Sequence, residues 1–404
     1  IRAGHEPHLY TLNIRPPALS RALTDPQTGL LTALADPAKP IDLNLAYGLY
    51  QQLLAPAEAE LVGVKHLLAV TDGVLQNLPL QVLLKTAPNA QQTYTDADWL
   101  VKHYAISYLP AVHSLAHLRS ADVVSKPSAP LPFIGFGDPV LEGKQLQLAT
   151  LFRGMGEQLQ RGENIDFVAD PNLLRTNLLR LPETAEELQS IARLLGANPV
   201  KSLYLGEKAT ETHLKQLSSQ GIFQHYSIVS FATNALLPNN QADDPMSQRQ
   251  EAGLVLTPPL QSTPEDDGYL SASEAANLRL HADWLLLSAC NTGTLDKAAH
   301  QEGLSQLAKA FFVAGTRSVL ASHWSVNSQT TEQLMTHIFQ QLAADKTLRR
   351  AEALRQSMLT LLQTPADCGL LCKLGWQEGV NFAHPAYWAP FVIYGEGGPM
   401  PERH

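Results

Sequence analysis

The chain has 404 residues, of which 45% are hydrophobic and 17% charged, so it is long enough for one large globular domain or two ordinary ones. Its formal net charge of -9 argues against a nucleic-acid-binding protein, because such proteins carry basic patches that attract phosphate. The sequence has no run of about eighteen apolar residues and therefore predicts no membrane span.

The three cysteines are too few for a disulfide scaffold. Cys368 and Cys372 are close enough in sequence to form one disulfide, which would favour an exported protein. Two ordinary thiols near a helix end are an equally good interpretation, so the sequence leaves the compartment open between cytoplasmic and exported. If the two do pair, Cys290 remains as a free thiol.

Regular elements are sparse in the first part of the chain. We interpret residues 1–44, which are rich in proline and lack a firm period, as an N-terminal extension or linker. Apolar residues at helical spacing predict a helix over 43–54, which Pro56 ends. Short apolar runs predict strands at 66–70, 103–109 and 133–137.

From residue 181 onward, strands and helices alternate. Helices are predicted over 184–195, 210–217, 304–313, 330–342 and 348–362, and Ser271 with Glu274 forms a capping box for a short one. Strands are predicted at 202–205, 226–231, 284–287, 318–321 and 391–394, and a long polar loop at 238–264. The alternation predicts a mainly parallel sheet covered by helices on both faces.

In such a sheet the reactive groups gather beyond the carboxyl ends of the strands. Cys290 follows a buried strand and precedes a Gly-containing turn, which is a suitable position for a nucleophile. A buried structural thiol is the alternative, and it is the commoner fate of a cysteine. A helix that begins near Glu302 would lower the pKa of the Cys290 thiol through its dipole.

Two strand-and-turn segments carry a family resemblance. The segments IVSFATNA (228–235) and LLSACNTG (286–293) resemble the paired strands of the CHAT family, caspase-like cysteine peptidases related more distantly to separases, gingipains and caspases. Further pieces agree in order, at 50–84, 181–187, 206–210, 302–304, 314–319, 323–326 and 385–391. The resemblance implies a caspase-like α/β fold in two halves: a degenerate half over 45–180 and a site-bearing half over 181–398.

The general-base position departs from the family pattern. The family strand ends in Ala-Thr-His-Gly, whose histidine is the base, whereas this chain has Asn234 followed by Ala235. A further histidine, often present where Ser230 stands, is also missing. An amide cannot accept a proton near neutral pH, and loss of one member of a nucleophile–base unit costs on the order of 10⁴ to 10⁶ in rate. Three departures fit drift away from catalysis better than one designed substitution.

Other residues are weaker candidates for the site. The backbone N–H of Ala235 is a candidate oxyanion donor by the resemblance, and His323, at the end of a strand, is a candidate substitute base. Packing of His323 beside Trp324 at the cleft wall is the favoured alternative. The candidate substrate-binding residues are Trp324, Asp267 and Glu302. Together with Asp266, the carboxylates of Asp267 and Glu302 could line a pocket for a basic side chain. Ordinary solvated charges on loops are the favoured explanation for these acidic residues.

The sequence therefore predicts a catalytically impaired pseudo-peptidase that binds a protein or peptide in its cleft. An active cysteine endopeptidase that uses Cys290 with His323 is the alternative. A scaffolding role in a longer polypeptide is a third interpretation, because CHAT domains often follow helical repeats, and such a region is a candidate partner. The scattered histidines lack ligand spacing, so we predict neither a metal site nor a cofactor, and no nucleic-acid partner.

Overall fold

The computed structural model describes residues 6–12, 14–119, 129–143, 171–236, 251–263, 265–291, 303–324, 328–364 and 381–398. Its strands are β1 His66–Ala69, β2 Ala105–Tyr108, β3 Leu131–Gly137, β4 Leu203–Leu205, β5 Tyr226–Leu236, β6 Gly253–Val255, β7 Tyr269–Ser271, β8 Trp284–Asn291, β9 Ser318–Ser322 and β10 Phe391–Gly395. They form one sheet in the order β1-β2-β10-β9-β8-β5-β3-β4, with β6 on β5 and β7 on β6. Among the described strands, three pairs are antiparallel (β9–β10, β5–β6 and β6–β7) and the others are parallel, so the prediction of a mainly parallel sheet is confirmed.

The α-helices belong to layers on both faces of this sheet. They are α1 Pro16–Thr24, α2 Leu30–Leu34, α3 Leu43–Leu53, α4 Ser114–Leu118, α5 Pro171–Asn177, α6 Glu183–Leu194, α7 Pro199–Ser202, α8 Glu211–Ser219, α9 Ala272–Ala276, α10 Gly303–Val313, α11 Ser328–Ala344, α12 Arg350–Gln363 and α13 Pro385–Trp388. Short 3₁₀ turns connect several elements. No helix in the described ranges is both long and apolar enough to cross a membrane.

The sheet centre consists of β5 and β8, which pair in parallel over eight residues each. Every residue of β5 is buried, because helices cover both faces of the strand, and the buried residues include the polar Ser230 and Asn234. On one face Phe231 stacks on Phe311 of α10. On the other face α6 packs on the strands, with Leu188 against Gly135 and Gly137. This double cover holds the carboxyl ends of β5 and β8 in fixed register.

Local sequence signals mark where several helices begin and end. Thr210 caps α8 by accepting from the His213 N–H, and the Ser271–Glu274 capping box opens α9. Gly196, just past the end of α6, has a positive φ of 69°, which glycine adopts without steric cost.

The predicted polar loop over 238–264 is wrong for part of its length. Residues 253–255 are the buried strand β6, which pairs with Ala235 and Leu236 at the end of β5. The same pairing extends β5 to Leu236, beyond the predicted end at Phe231. The run around Leu254 is too short to show a strand period, and its partner strand is distant in sequence, so no local pattern indicated the pairing.

The N-terminal residues contribute to the main core. α1 and α2 bury Leu19, Leu23, Leu30 and Leu34, which belong to the same apolar cluster as the central strands. β1 and β2 likewise share one sheet with β5 and β8. The described strands thus form a single sheet, and the division at residues 44 and 180 into an extension and two caspase-like halves stays a prediction.

Candidate functional site at the ends of two central strands

The register of β5 and β8 brings two predicted positions to the same level. Asn234 pairs with Cys290, flanked by the pairs of Thr233 with Ala289 and Ala235 with Asn291. Neighbouring strands are about 4.8 Å apart, so the two backbones lie within side-chain reach of each other. The side chain of Cys290 lies outside the described part of the structure, as do Glu302, Cys368 and Cys372.

Asn234 is fully buried and acts as a hydrogen-bond donor. Its Nδ2 donates to the main-chain carbonyl of Leu179 at 3.1 Å, while its Oδ1 has no partner among the described residues. Thr233 next to it faces the opposite side of the sheet, where its hydroxyl donates to the carbonyl of Val255. Asn234, which the sequence predicts to stand at the base position, therefore holds a peptide carbonyl through an amide N–H.

Further polar side chains are buried on the same face as Asn234. Ser230 lies four residues earlier on β5, and its hydroxyl has no partner among the described residues. Glu187 of α6 is also buried and accepts a hydrogen bond from the hydroxyl of Ser288 at 3.1 Å. Burial raises the pKa of Glu187 to about 7. Ser288 lies two residues before Cys290, so Glu187 joins α6 to the strand that carries the predicted nucleophile.

Sequence reasoning did not single out Glu187 as a site residue. In the sequence it is one of three glutamates near the start of α6, with Glu183 and Glu186. A usable signal exists, because Thr184, Leu188 and Ile191 have the helical spacing of a buried face and Glu187 lies on that same face. A carboxylate on an apolar helix face predicts a buried polar contact.

Ala235 lies inside the sheet rather than in an open turn. It pairs with Asn291 of β8 on one side and with Leu254 of β6 on the other. The role of Ala235 as an oxyanion donor stays a prediction. The predicted donor is a backbone N–H in a strand that has neighbouring strands on both sides.

His323 follows the last residue of β9 and packs beside Trp324. Its ring centroid lies 6.3 Å from that of Trp324, and its backbone N–H donates to the carbonyl of Pro390 at 2.9 Å. Burial lowers the pKa of His323 to about 4. Trp324 is itself fixed, because its Nε1 donates to the carbonyl of Ala386 at 3.0 Å. These contacts suit a packing role for His323.

The acidic residues before β7 are tied to the start of α8. Asp266 accepts from the backbone N–H of Thr212 at 3.1 Å, and the Asp267 carboxylate accepts from the backbone N–H of Tyr269 at 2.8 Å. The N–H of Asp267 donates to Glu211 at 3.1 Å. Burial raises the pKa of Asp267 to about 6. The contacts give both carboxylates a role in fixing the loop before β7.

A second feature that the sequence did not reveal lies at the end of β3, next to β5. Asp138 has a left-handed backbone with φ of 49°, and its carboxylate accepts from Nε and Nη2 of Arg180, each at 2.7 Å. Its N–H donates to the hydroxyl of Thr184 at 2.9 Å. Asp138 thus joins the strand end to the chain segment that precedes α6.

The described residues contain no group of three or more His, Cys, Asp or Glu side chains that could hold a metal ion. The residues at the strand ends supply amide, hydroxyl and carboxyl groups, and the sequence places a thiol at Cys290.

Comparison with known proteins places this geometry in context. The family model of the CHAT domain matches residues 43–396. Tetratricopeptide repeat protein 28 of Mus musculus is 24% identical over 376 residues, and the alignment covers 86% of this chain but 13% of that protein, so the chain spans a small part of this relative.

Solved structures show weaker similarity. The Arg-specific cysteine proteinase gingipain R has a TM-score of 0.42 and 10% identity, with 90% of this chain and 69% of that chain covered. The separase–securin complex of Saccharomyces cerevisiae has a TM-score of 0.33 and 12% identity, with 72% of this chain and 14% of that chain covered.

Proposed function

The chain belongs to the CHAT domain family, and from this premise we propose that it is a catalytically impaired member that binds a protein or peptide at the carboxyl ends of β5 and β8. One observation carries the proposal: the residue in register with Cys290 is Asn234, whose amide donates to a peptide carbonyl. A carboxamide can hold a peptide main chain but cannot remove a proton from a thiol.

Loss of catalysis follows from the missing base. A thiol with an ordinary pKa of about 8.5 is only a few per cent thiolate at pH 7, so it needs a neighbouring base or cation to become a good nucleophile. His323 is a poor substitute, because a ring with a pKa of about 4 has little affinity for the proton of a thiol. The alternative, an active endopeptidase using Cys290 and His323, has only their common sheet edge in its favour.

Peptide binding is supported by the hydrogen bond that Asn234 already makes. The Leu179 carbonyl is a main-chain acceptor, chemically identical to those of any extended peptide. A buried amide that donates at 3.1 Å is a fixed recognition group, since the fully covered strand β5 holds its position. Such a group binds main chain with little regard to side-chain identity and suits an adaptable peptide cleft.

Thiol alkylation across pH tests the impaired state. In a variant with Cys368→Ser and Cys372→Ser, Cys290 is the single thiol, and its reaction with iodoacetamide can be followed by mass spectrometry. We expect a profile centred at or above the ordinary thiol pKa of about 8.5. A profile centred well below that value would show an activated thiolate and would favour the endopeptidase. His323→Ala in the same background should leave the profile unchanged.

We further propose that the domain works within a longer polypeptide that contains helical repeats, since the mouse relative is named for tetratricopeptide repeats and the chain spans 13% of it. The full coding region should then contain repeats of about 34 residues. A coding region without such repeats would refute this part of the proposal.

A further inference from the structure

Residues 171–181 form a short segment, here called the cover segment, at the carboxyl ends of β3, β5 and β6. It consists of α5 and the four residues that follow it. Leu174 and Leu178 are buried in a small apolar cluster that is separate from the main core. The other members of that cluster are Leu141, Leu236, Val255 and Tyr269. The cover segment therefore packs at the end of β5, one of the two strands whose carboxyl ends form the proposed binding site.

Polar contacts fix the main chain of the cover segment in the same place. The carbonyl of Leu178 accepts from the N–H of Gly143 at 3.1 Å, and the carbonyl of Leu179 accepts from Asn234 at 3.1 Å. Arg180 forms the two-pronged ion pair with Asp138. Arg175 also reaches across to the carbonyl of Pro258.

We propose that the cover segment occupies the peptide-binding cleft in cis, and that a ligand binds only when this segment is displaced. The inference rests on the proposed function, because it assigns the donor group of Asn234 to the ligand. The Leu179 carbonyl holds that donor now, so a ligand carbonyl must compete with it. The cover segment thereby regulates the site, because it lowers the affinity for external peptides as long as it stays docked.

Displacement of the cover segment is feasible because the segment has little intrinsic stability. α5 has seven residues, too few for a helix to be stable without tertiary packing. Its apolar support is one six-residue cluster, and Arg180 remains exposed despite its ion pair. Segments with few buried apolar contacts open locally at much lower free energy than a core strand.

Gly143 offers a way to loosen the cover segment without touching Asn234 or Cys290. A Cβ at Gly143 would lie 2.6 Å from the carbonyl carbon of Leu178, which is closer than real Cβ contacts, so Gly143→Ala must push the segment away. Gly48 in α3 is the matched control, because a Cβ there meets nothing within 4 Å. Arg180→Ala is an independent way to weaken the same docking.

Hydrogen–deuterium exchange of the whole chain measures the docking directly. We expect exchange of 171–181 to become about tenfold faster in Gly143→Ala, with a smaller gain in Arg180→Ala and no change in Gly48→Ala. Unchanged exchange in both of the first two variants would overturn the cover segment. Arg180→Ala keeps the test valid if Gly143→Ala does not fold.

A labelled synthetic peptide that copies residues 174–184 tests the competition. Anisotropy should show about tenfold tighter binding to Gly143→Ala than to the unchanged chain or Gly48→Ala. Faster exchange with equal affinity for all three would overturn the competition. If the peptide binds the opened variant equally well after Asn234→Ala is added, the proposed function fails at Asn234 while the docking of the segment stands.

Discussion

The two faces of the sheet at β5 and β8 bury different chemistry. On one face Phe136, Phe231 and Phe311 stack with centroid distances of 5.5 and 5.6 Å. On the other face Glu187 and Asn234 are buried, each with an oxygen that has no partner among the described residues. A buried polar atom without a hydrogen bond costs about 1–3 kcal/mol, so the polar face reduces stability while the aromatic face supplies it. This cost at the end of β5 agrees with the binding site that we propose there.

Phe231→Ala should have the largest effect, because it removes the middle ring of the aromatic stack. We expect a loss of about 3–5 kcal/mol in the free energy of unfolding, measured by urea denaturation. Val200→Ala is the control, since Val200 is 87% exposed and should change little. A loss below about 1 kcal/mol for Phe231→Ala would mean that the aromatic face does not dominate stability.

Glu187→Gln should change how stability depends on pH. The pKa of Glu187 is raised by burial from 4.5 to about 7, so the folded chain keeps this proton over a range in which the unfolded chain has lost it. Stability conferred by the protonated carboxyl is therefore present below pH 4.5 and falls as pH rises to 7, by about 3 kcal/mol.

The glutamine variant has no carboxyl proton at this position, so its free energy of unfolding should fall less steeply as pH rises. Urea denaturation of both proteins at several pH values between 4.5 and 7 gives the comparison. Glu186→Gln is the control, because Glu186 is exposed on the same helix. Parallel stability curves for the unchanged chain and Glu187→Gln would show that Glu187 does not keep its proton.

Asn234→His tests whether the polar face lacks only its base. An imidazolium beside a thiol stabilises the thiolate, so alkylation of Cys290 at pH 7 should become about tenfold faster in the background without the other two cysteines. Asn234→Leu, of similar size and without a base, should show no gain. No gain with histidine either would mean that the surroundings of Cys290 have changed beyond the one missing ring.

Ser230→Ala should have the smallest effect and the opposite sign. Its buried hydroxyl has no partner among the described residues, so removing it should stabilise the chain by about 1 kcal/mol. Ser227→Ala on the same strand is the matched control. The Ser227 hydroxyl donates to the carbonyl of Pro132 at 3.0 Å, so its loss should cost about 1 kcal/mol. Thermal denaturation measures both variants. A change in melting temperature of the same sign for Ser230→Ala and Ser227→Ala would contradict the expected difference between them.

The parts of the fold that local pattern determines were predictable. The apolar run before Cys290 is the strand β8, and the caps of α8 and α9 are those indicated by Thr210 and Ser271. The pairing of β6 with the end of β5 was not predictable. It involves two residues of each strand, too few to produce an alternating apolar pattern in the sequence. α5 was missed because seven residues give too little helical pattern.

The candidate site was predictable only in its strand ends. Asn234 lies opposite Cys290 because each follows the apolar run of one of two neighbouring parallel strands, whose carboxyl ends meet at the same edge of the sheet. The contact of Glu187 with Ser288 joins residues about a hundred positions apart, and the cover segment meets Asn234 through a main-chain carbonyl that no side-chain motif encodes. Sequence patterns describe periodicity and residue type, whereas these contacts depend on how helices and loops pack on the sheet.

The place of β10 in the sheet has a consequence for how the chain is made. Among the described strands, β1 and β2 join the rest of the sheet through β10, which lies between β2 and β9. During synthesis the edge of β2 therefore stays unpaired until residues 391–395, which form β10, have left the ribosome. Such long-range closure slows folding, and a prematurely stopped chain would expose the edges of both β2 and β9 to aggregation.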